Sequence, residues 1–164
     1  MNSRAKRPTL RFLLAHPAHF IALGFGAGLS PWAPGTVGTL LALPIAWALD
    51  AYAGNAAFAA AITVLFLVGT WASAITGRDI GVSDHGAIVI DEIAAFLLVL
   101  FFTGTDPLRQ GLAFVLFRFF DIVKPPPIGY IDATIKGGIG VMLDDMLAAA
   151  YTLLVLAILQ RVVG

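Results

Sequence analysis

Apolar residues run in long blocks along this chain, and the few polar residues collect between those blocks or at their ends. Five blocks have the continuity of membrane-crossing helices: about residues 37–53, 56–76, 88–102, 108–123 and 141–161. The shortest apolar helix that crosses a bilayer core has roughly 17 residues, about 26 Å, so the first block suffices for a thin or slightly untilted crossing. The breaks carry turn chemistry. Ala53, Gly54 and Asn55 form one tight turn and residues 103–107 another. Pro125, Pro126 and Pro127 stop the fourth block, because proline lacks the backbone donor and turns its predecessor away from helix. Residues 77–86 form a polar connector, and residues 128–140 read as a polar, glycine-containing loop. Upstream, residues 20–39 hold Gly24, Gly26, Gly28, Pro31, Pro34, Gly35 and Gly38, too much punctuation for a regular spanning helix. They predict a half-helix followed by a loop, buried where irregular backbone is tolerated. Residues 1–19 form a basic lead with a short surface helix at Leu10–Ala15.

The pattern predicts one all-α domain over residues 1–164: a polytopic helical membrane protein with about five spanning helices and a Gly/Pro-rich N-terminal half-helix or reentrant segment. Composition agrees. Hydrophobic residues make up 59% of the chain and charged residues 12%, against about a quarter charged in soluble domains. A soluble oligomer that hides its apolar surface is the alternative, and partitioning between membrane and cytosol would separate the two. The formal net charge of zero gives no reason to expect a nucleic-acid partner. A homo-oligomer is compatible with the sequence but not indicated by it. The absence of cysteine excludes disulfides, zinc–thiolate sites and iron–sulfur clusters. His16, Pro17 and His19 interrupt the stretch that a cleaved signal peptide would need.

Charge placement gives a topology. If the basic lead is cytosolic, Arg4, Lys6, Arg7, Arg11, Arg78, Arg118, Lys124 and Lys136 share the cytosolic side, while only Arg109 and Arg161 fall on the far side. That split obeys the positive-inside rule. The same alternation brings Asp91 and Glu92, Asp144 and Asp145, and the Arg118–Asp121–Lys124 helix end to one membrane face.

Charge beside apolar spans is costly and by default marks a functional interior. Asp91 and Glu92 stand about 100° apart on a helix and can wrap one quadrant, and Asp144 and Asp145 repeat the arrangement. Ala94, Ala95, Ala148 and Ala149 let the two helices approach closely. With Asp121, these acids form an all-oxygen set suited to a hard cation such as Mg²⁺. Helix-start acids favoured by the dipole would account for one acid per helix, less readily for both pairs on one face. Arg118, Asp121 and Lys124 follow at i, i+3 and i+6 along one helix side. Arg118 offers bidentate phosphate recognition and Lys124 a point charge, unless they form an internal salt bridge and a snorkelling lysine. Ser30, Thr36, Thr39 and nearby glycine amides could cradle an anion at a helix start. Lys136 reaches either a headgroup or solvent. His85 is a candidate general acid or base, or a plain surface histidine. His16 and His19 read as interfacial.

Four segments together resemble a known family: GFGAGLSPWAPGTVGTLLALP at 24–44, DHGAIVIDE at 84–92, FRFFDIVKPPPI at 117–128 and GGIGVMLDD at 137–145. The chain resembles the phosphatidylglycerophosphatase A family of bacterial inner-membrane lipid phosphatases. The resemblance implies Mg²⁺-dependent hydrolysis of phosphatidylglycerophosphate to phosphatidylglycerol and inorganic phosphate, at the cytosolic face, with the phospholipid substrate still in the bilayer. It carries Asp84, His85, Asp91, Glu92, Arg118, Asp121, Lys124, Pro125, Asp144 and Asp145 onto the family's motifs. Ala95 and Pro126 depart from them where a glycine and an aromatic are common, without loss of a titratable group. The roles implied are metal ligation by Asp91, Glu92, Asp144, Asp145 and Asp121, and catalysis by Asp91, Glu92, Asp121, Asp145 and His85. Phosphate binding falls to Arg118, Lys124, Thr36, Ser30 and Lys136. The chief rival is a small ion- or proton-coupled transporter, against which stand acids at one face and spans without duplicated halves. An enzyme joining a nucleotide-activated lipid to an alcohol would need an Asp-rich run with interleaved Gly and Arg, which no single segment supplies.

Overall fold

The computed structural model describes residues 7–163, so Arg4 and Lys6 of the basic lead lie outside the described residues. Within these limits the chain is all-helical: α1 (Leu10–Ala15), α2 (Pro17–Ala22), a 3₁₀ segment (Gly24–Leu29), α3 (Pro34–Tyr52), α4 (Gly54–Ile80), α5 (Ile90–Thr103), α6 (Pro107–Val123), α7 (Ile128–Thr134) and α8 (Gly138–Val163). Three helices, Pro34–Tyr52, Gly54–Ile80 and Gly138–Val162, are long and apolar enough to cross a membrane. α5 and α6 are shorter, with 14 and 17 residues. At 1.5 Å per residue they reach about 21 Å and about 26 Å.

α5 sits at the centre, packed against α3, α4, α6 and α8. From Ile90 to Leu100 only Glu92 and Leu98 are less than fully buried. This explains its sequence, since a helix enclosed on every side is apolar all round. Lipid tails offer no hydrophobic drive for such packing, so close approach of backbones must supply it. Ala94, Ala95, Ala148 and Ala149 are all 0% exposed at the α5 and α8 surfaces. A Cβ at Gly138 would collide with the Thr70 carbonyl and lie 2.8 Å from the Ala74 nitrogen, so α8 starts directly against α4.

The punctuated segment 20–39 does not span. α2 ends at Ala22, and the chain reverses through left-handed conformations at Gly24, Phe25 and Gly26 before α3 begins. Pro34 opens α3 as its first residue, where a missing amide proton costs nothing, three residues before the expected start. α4 continues to Ile80, beyond the expected end, until Gly81 caps it at φ 85°. One expectation needs correction: residues 128–140 are not simply a loop. Ile128–Thr134 is a helix, seeded where the prolines end and anchored by fully buried Ile128.

Candidate active site

The starts of α3, α5 and α8 and the end of α6 meet at one end of the bundle. α5 carries Asp91 and Glu92 in its first turn, while α8 brings Asp145 against them. Carboxylate oxygens of Asp91, Glu92 and Asp145 lie within 4.8 Å of one another. Asp91 and Asp145 are only 7% and 3% exposed. One oxygen on each of the three, Asp91 Oδ1, Glu92 Oε2 and Asp145 Oδ2, is buried with no hydrogen-bond partner.

Arg118, from the last turns of α6, enters this group from the side. Its Nη1 lies 2.6 Å from Asp121 Oδ2, 3.5 Å from Glu92 Oε1 and 3.4 Å from Thr39 Oγ1. Thr39 is fully buried and donates its own proton to the Gly35 carbonyl at 2.9 Å, so toward Arg118 it serves as an acceptor. The first turn of α3 presses on the same pair. A Cβ at Gly35 would overlap Glu92 Oε1 and lie 3.1 Å from Arg118 Nη2.

A second acidic group adjoins the first. Asp84, Asp132 and Asp144 offer oxygens within 4.8 Å of one another. Lys124 Nζ stands among them, 2.6 Å from Asp144 Oδ2 and 3.2 Å from Asp132 Oδ1. Lys124 is the left-handed cap of α6, at φ 47° and ψ 58°. Partial burial pulls its pKa down, but the hydrogen bond and charge of Asp144, with those of Asp132, outweigh burial and hold it above the ordinary lysine value. The two groups touch through the backbone, where the Asp145 amide donates to Asp144 Oδ1 at 3.0 Å.

The five expected acids are therefore divided. Asp91, Glu92 and Asp145 converge, Asp121 pairs with Arg118, and Asp144 turns to Lys124. His85 is half-buried, and its Nδ1 accepts from the Ala87 amide at 3.2 Å, which leaves Nε2 to carry the proton of the neutral ring. Thr36 lies in the first turn of α3 beside Gly35. Ser30 is occupied locally, donating to the Trp32 carbonyl at 2.8 Å, and is not drawn into the acid group by any described contact. Nor is Lys136, exposed and donating to the Asp132 carbonyl at 2.7 Å. One member was missed in the sequence, Asp132, hidden because its segment read as loop; Thr39, expected to help cradle an anion, instead accepts from Arg118. His19, read as interfacial, is a buried tie between α2 and α4, with Nε2 3.0 Å from Asp79 Oδ2.

Three carboxylates gathered out of water with one nearby guanidinium are electrostatically incomplete, since each buried ion costs several kcal/mol unless compensated. Their unpartnered oxygens and all-oxygen donor set fit a hard divalent cation such as Mg²⁺. Fold and site together define the class: a helical membrane protein with a carboxylate–guanidinium centre at one end of its bundle. The chain belongs to the phosphatidylglycerophosphatase A family of phosphatases, whose sequence profile matches residues 20–160. It is 40% identical over 154 residues to a Haemophilus influenzae protein named phosphatidylglycerophosphatase A, covering 93% of this chain and 94% of that one. It is 36% identical over 143 residues to the Escherichia coli protein of the same name, covering 87% and 83%. A Bacteroides thetaiotaomicron protein provisionally named phosphatidylinositol-3-phosphatase is 39% identical over 151 residues, covering 88% and 94%. No solved structure matches the chain.

Proposed function

We propose that this protein hydrolyses phosphatidylglycerophosphate to phosphatidylglycerol and inorganic phosphate, with Mg²⁺, at the cytosolic face of a bacterial inner membrane. The observation that carries the reading is the trio of unpartnered, buried carboxylate oxygens on Asp91, Glu92 and Asp145 beside Arg118, in a chain of this family. Asp91, Glu92 and Asp145 would hold the ion, with Asp144 and Asp121 flanking it. Bound Mg²⁺ supplies Lewis-acid polarisation of a phosphoryl oxygen and a water of lowered pKa.

The chain's own residues do the rest. Arg118 presents a planar fork to the phosphate, and Asp121 and Thr39 hold that fork in place. Lys124 adds positive charge at the edge of the site. Neutral His85, its proton fixed at Nε2 by the bond from the Ala87 amide to Nδ1, can give a hydrogen bond to the departing glycerol oxygen, whose proton then comes from water. Thr36, at the start of α3, can add a hydroxyl donor. Ser30 and Lys136 enter only if substrate frees them from Trp32 and Asp132.

We read α5 and α6 as two further, shorter crossings, which gives five spans and sets the acids on the basic, cytosolic side. The acyl chains then stay in lipid while the terminal phosphate reaches the carboxylates. Purified protein should release phosphate from phosphatidylglycerophosphate with Mg²⁺ and not after chelation. The panel should include phosphatidylinositol 3-phosphate, given the name of the Bacteroides relative. Asp91→Ala and Asp145→Ala should remain folded and inactive. No turnover of phosphatidylglycerophosphate by the wild-type protein sinks the proposal.

A further inference from the structure

The opposite end of the bundle holds a cleft that the chemistry above does not use. α5 stops at Thr103, whereas α8 continues to Val163, so the last turns of α8 have no α5 beside them. The space left is about 750 Å³ and is walled by Phe102, Leu112, Leu153 and Leu156, with Arg109 and Gln160 among its lining residues. That volume and a mostly apolar wall with few polar groups are the attributes of a ligand site. Thr103 also lines the cleft, but its hydroxyl already donates to the Val99 carbonyl at 2.8 Å.

The charge at the rim selects the occupant. The Arg109 guanidinium has no ion pair or side-chain hydrogen bond among the described residues. Asp106, the nearest acid in sequence, is occupied with its oxygen on the Arg109 amide at 2.9 Å. Arg161 lines an adjoining hollow together with Gln160. The cleft thus joins an apolar wall to uncompensated positive charge, the complement of an acyl chain ending in a net-negative headgroup. A second copy packed here would bring like charges together without a counter-ion, which is unfavourable in a desolvated interface. On the same turns of α6 and α8 as the lining residues, Leu108, Leu154 and Ile158 are exposed at 85%, 57% and 53%, an outer surface suited to lipid rather than water.

We propose that this cleft binds an anionic phospholipid, with an acyl chain between α6 and α8 and its net-negative headgroup on Arg109. The proposal is independent of the phosphatase reading, since the cleft lies at the other ends of α5 and α8 from the acids. Phosphatidylserine and phosphatidylcholine with identical chains are suitable probes, because neither is the proposed product. Native mass spectrometry of the detergent-solubilised chain would count bound lipid during titration with each. Wild-type protein should prefer phosphatidylserine by about tenfold, the scale of one charge-assisted contact. Arg109→Gln should erase that preference, and Arg109→Lys should keep part of it. Leu156→Trp, filling the wall, should weaken both lipids alike. Equal binding of the two lipids by wild-type protein, or an unchanged preference in Arg109→Gln, overturns the proposal. Its failure would leave phosphate release untouched, so the two readings fail separately.

Discussion

A matched pair of glycine substitutions tests the site without removing any functional group. Gly35, in the first turn of α3, and Gly111, in the second turn of α6, both lie in helices, where alanine is intrinsically favoured by about 0.5–1 kcal/mol. Nothing lies within 4 Å of a Cβ at Gly111, so Gly111→Ala should collect that gain. At roughly 2–4 °C per kcal/mol for a chain of this size, its melting temperature should rise by about 1–4 °C with activity unchanged. At Gly35 the new methyl overlaps Glu92 Oε1 and crowds both Arg118 Nη atoms at 3.1 and 3.2 Å. These are side-chain ends, but Arg118 Nη1 is tied to Asp121 and Thr39 and lies 3.5 Å from Glu92 Oε1, so the pair has little room to yield. Restoring an ordinary contact requires Glu92 or Arg118 to move by about 1 Å, a misplacement that costs on the order of 10²-fold in rate. Overpacking costs about 1–3 kcal/mol and is partly offset by helix propensity. Gly35→Ala should therefore melt within a few degrees of wild type while kcat/KM falls about 100-fold. Phosphate release and thermal melting on the same preparations decide it. Activity of Gly35→Ala within threefold of wild type would refute the placement of Glu92 and Arg118 in the reacting centre.

Other outcomes follow from the same geometry. Mg²⁺ should raise the melting temperature of the wild-type protein, and Asp145→Asn should abolish that response; without Mg²⁺ the variant should melt no lower than wild type, because a buried like charge is gone. Thr39→Val removes the acceptor on Arg118 and should lower kcat/KM by about tenfold, roughly one charge-assisted hydrogen bond, with Thr39→Ser restoring most of it. Lys124→Met strips Asp144 of its partner at 2.6 Å and should destabilise the fold by about 3–5 kcal/mol in chemical denaturation. The Lys124→Met/Asp144→Asn double variant should recover much of that loss, and no recovery would show that the pair is not coupled.

Much of this centre was legible in the chain because its parts are local. Asp91 and Glu92 open an apolar run, and the spacing of Arg118 and Asp121 is itself their ion pair. What stayed hidden depends on how helices face one another. Asp144 and Asp145 look equivalent in sequence, yet a rotation of about 100° between neighbours sends one to Lys124 and the other to Asp91. Asp132 was invisible because three prolines and two glycines bracket a short helix with loop-like punctuation. The apolar pattern found all the long helices, but hydropathy responds alike to lipid and to protein interior. It could not reveal that α5 is sheathed by its neighbours.

That sheathing frees α5 from the length that lipid would demand. A bilayer core is about 30 Å thick, and α5 covers about 21 Å of helix rise. Its longer neighbours α3, α4 and α8 make up the difference, so α5 itself need not reach both ends of the bundle. At one of its ends stand the buried carboxylates of Asp91 and Glu92, and beyond the other opens the apolar cleft lined by Phe102. The length of α5 thus fixes how far the carboxylates lie from the cleft. Adding a turn to α5 after Thr103 would fill that cleft and leave the carboxylates where they are.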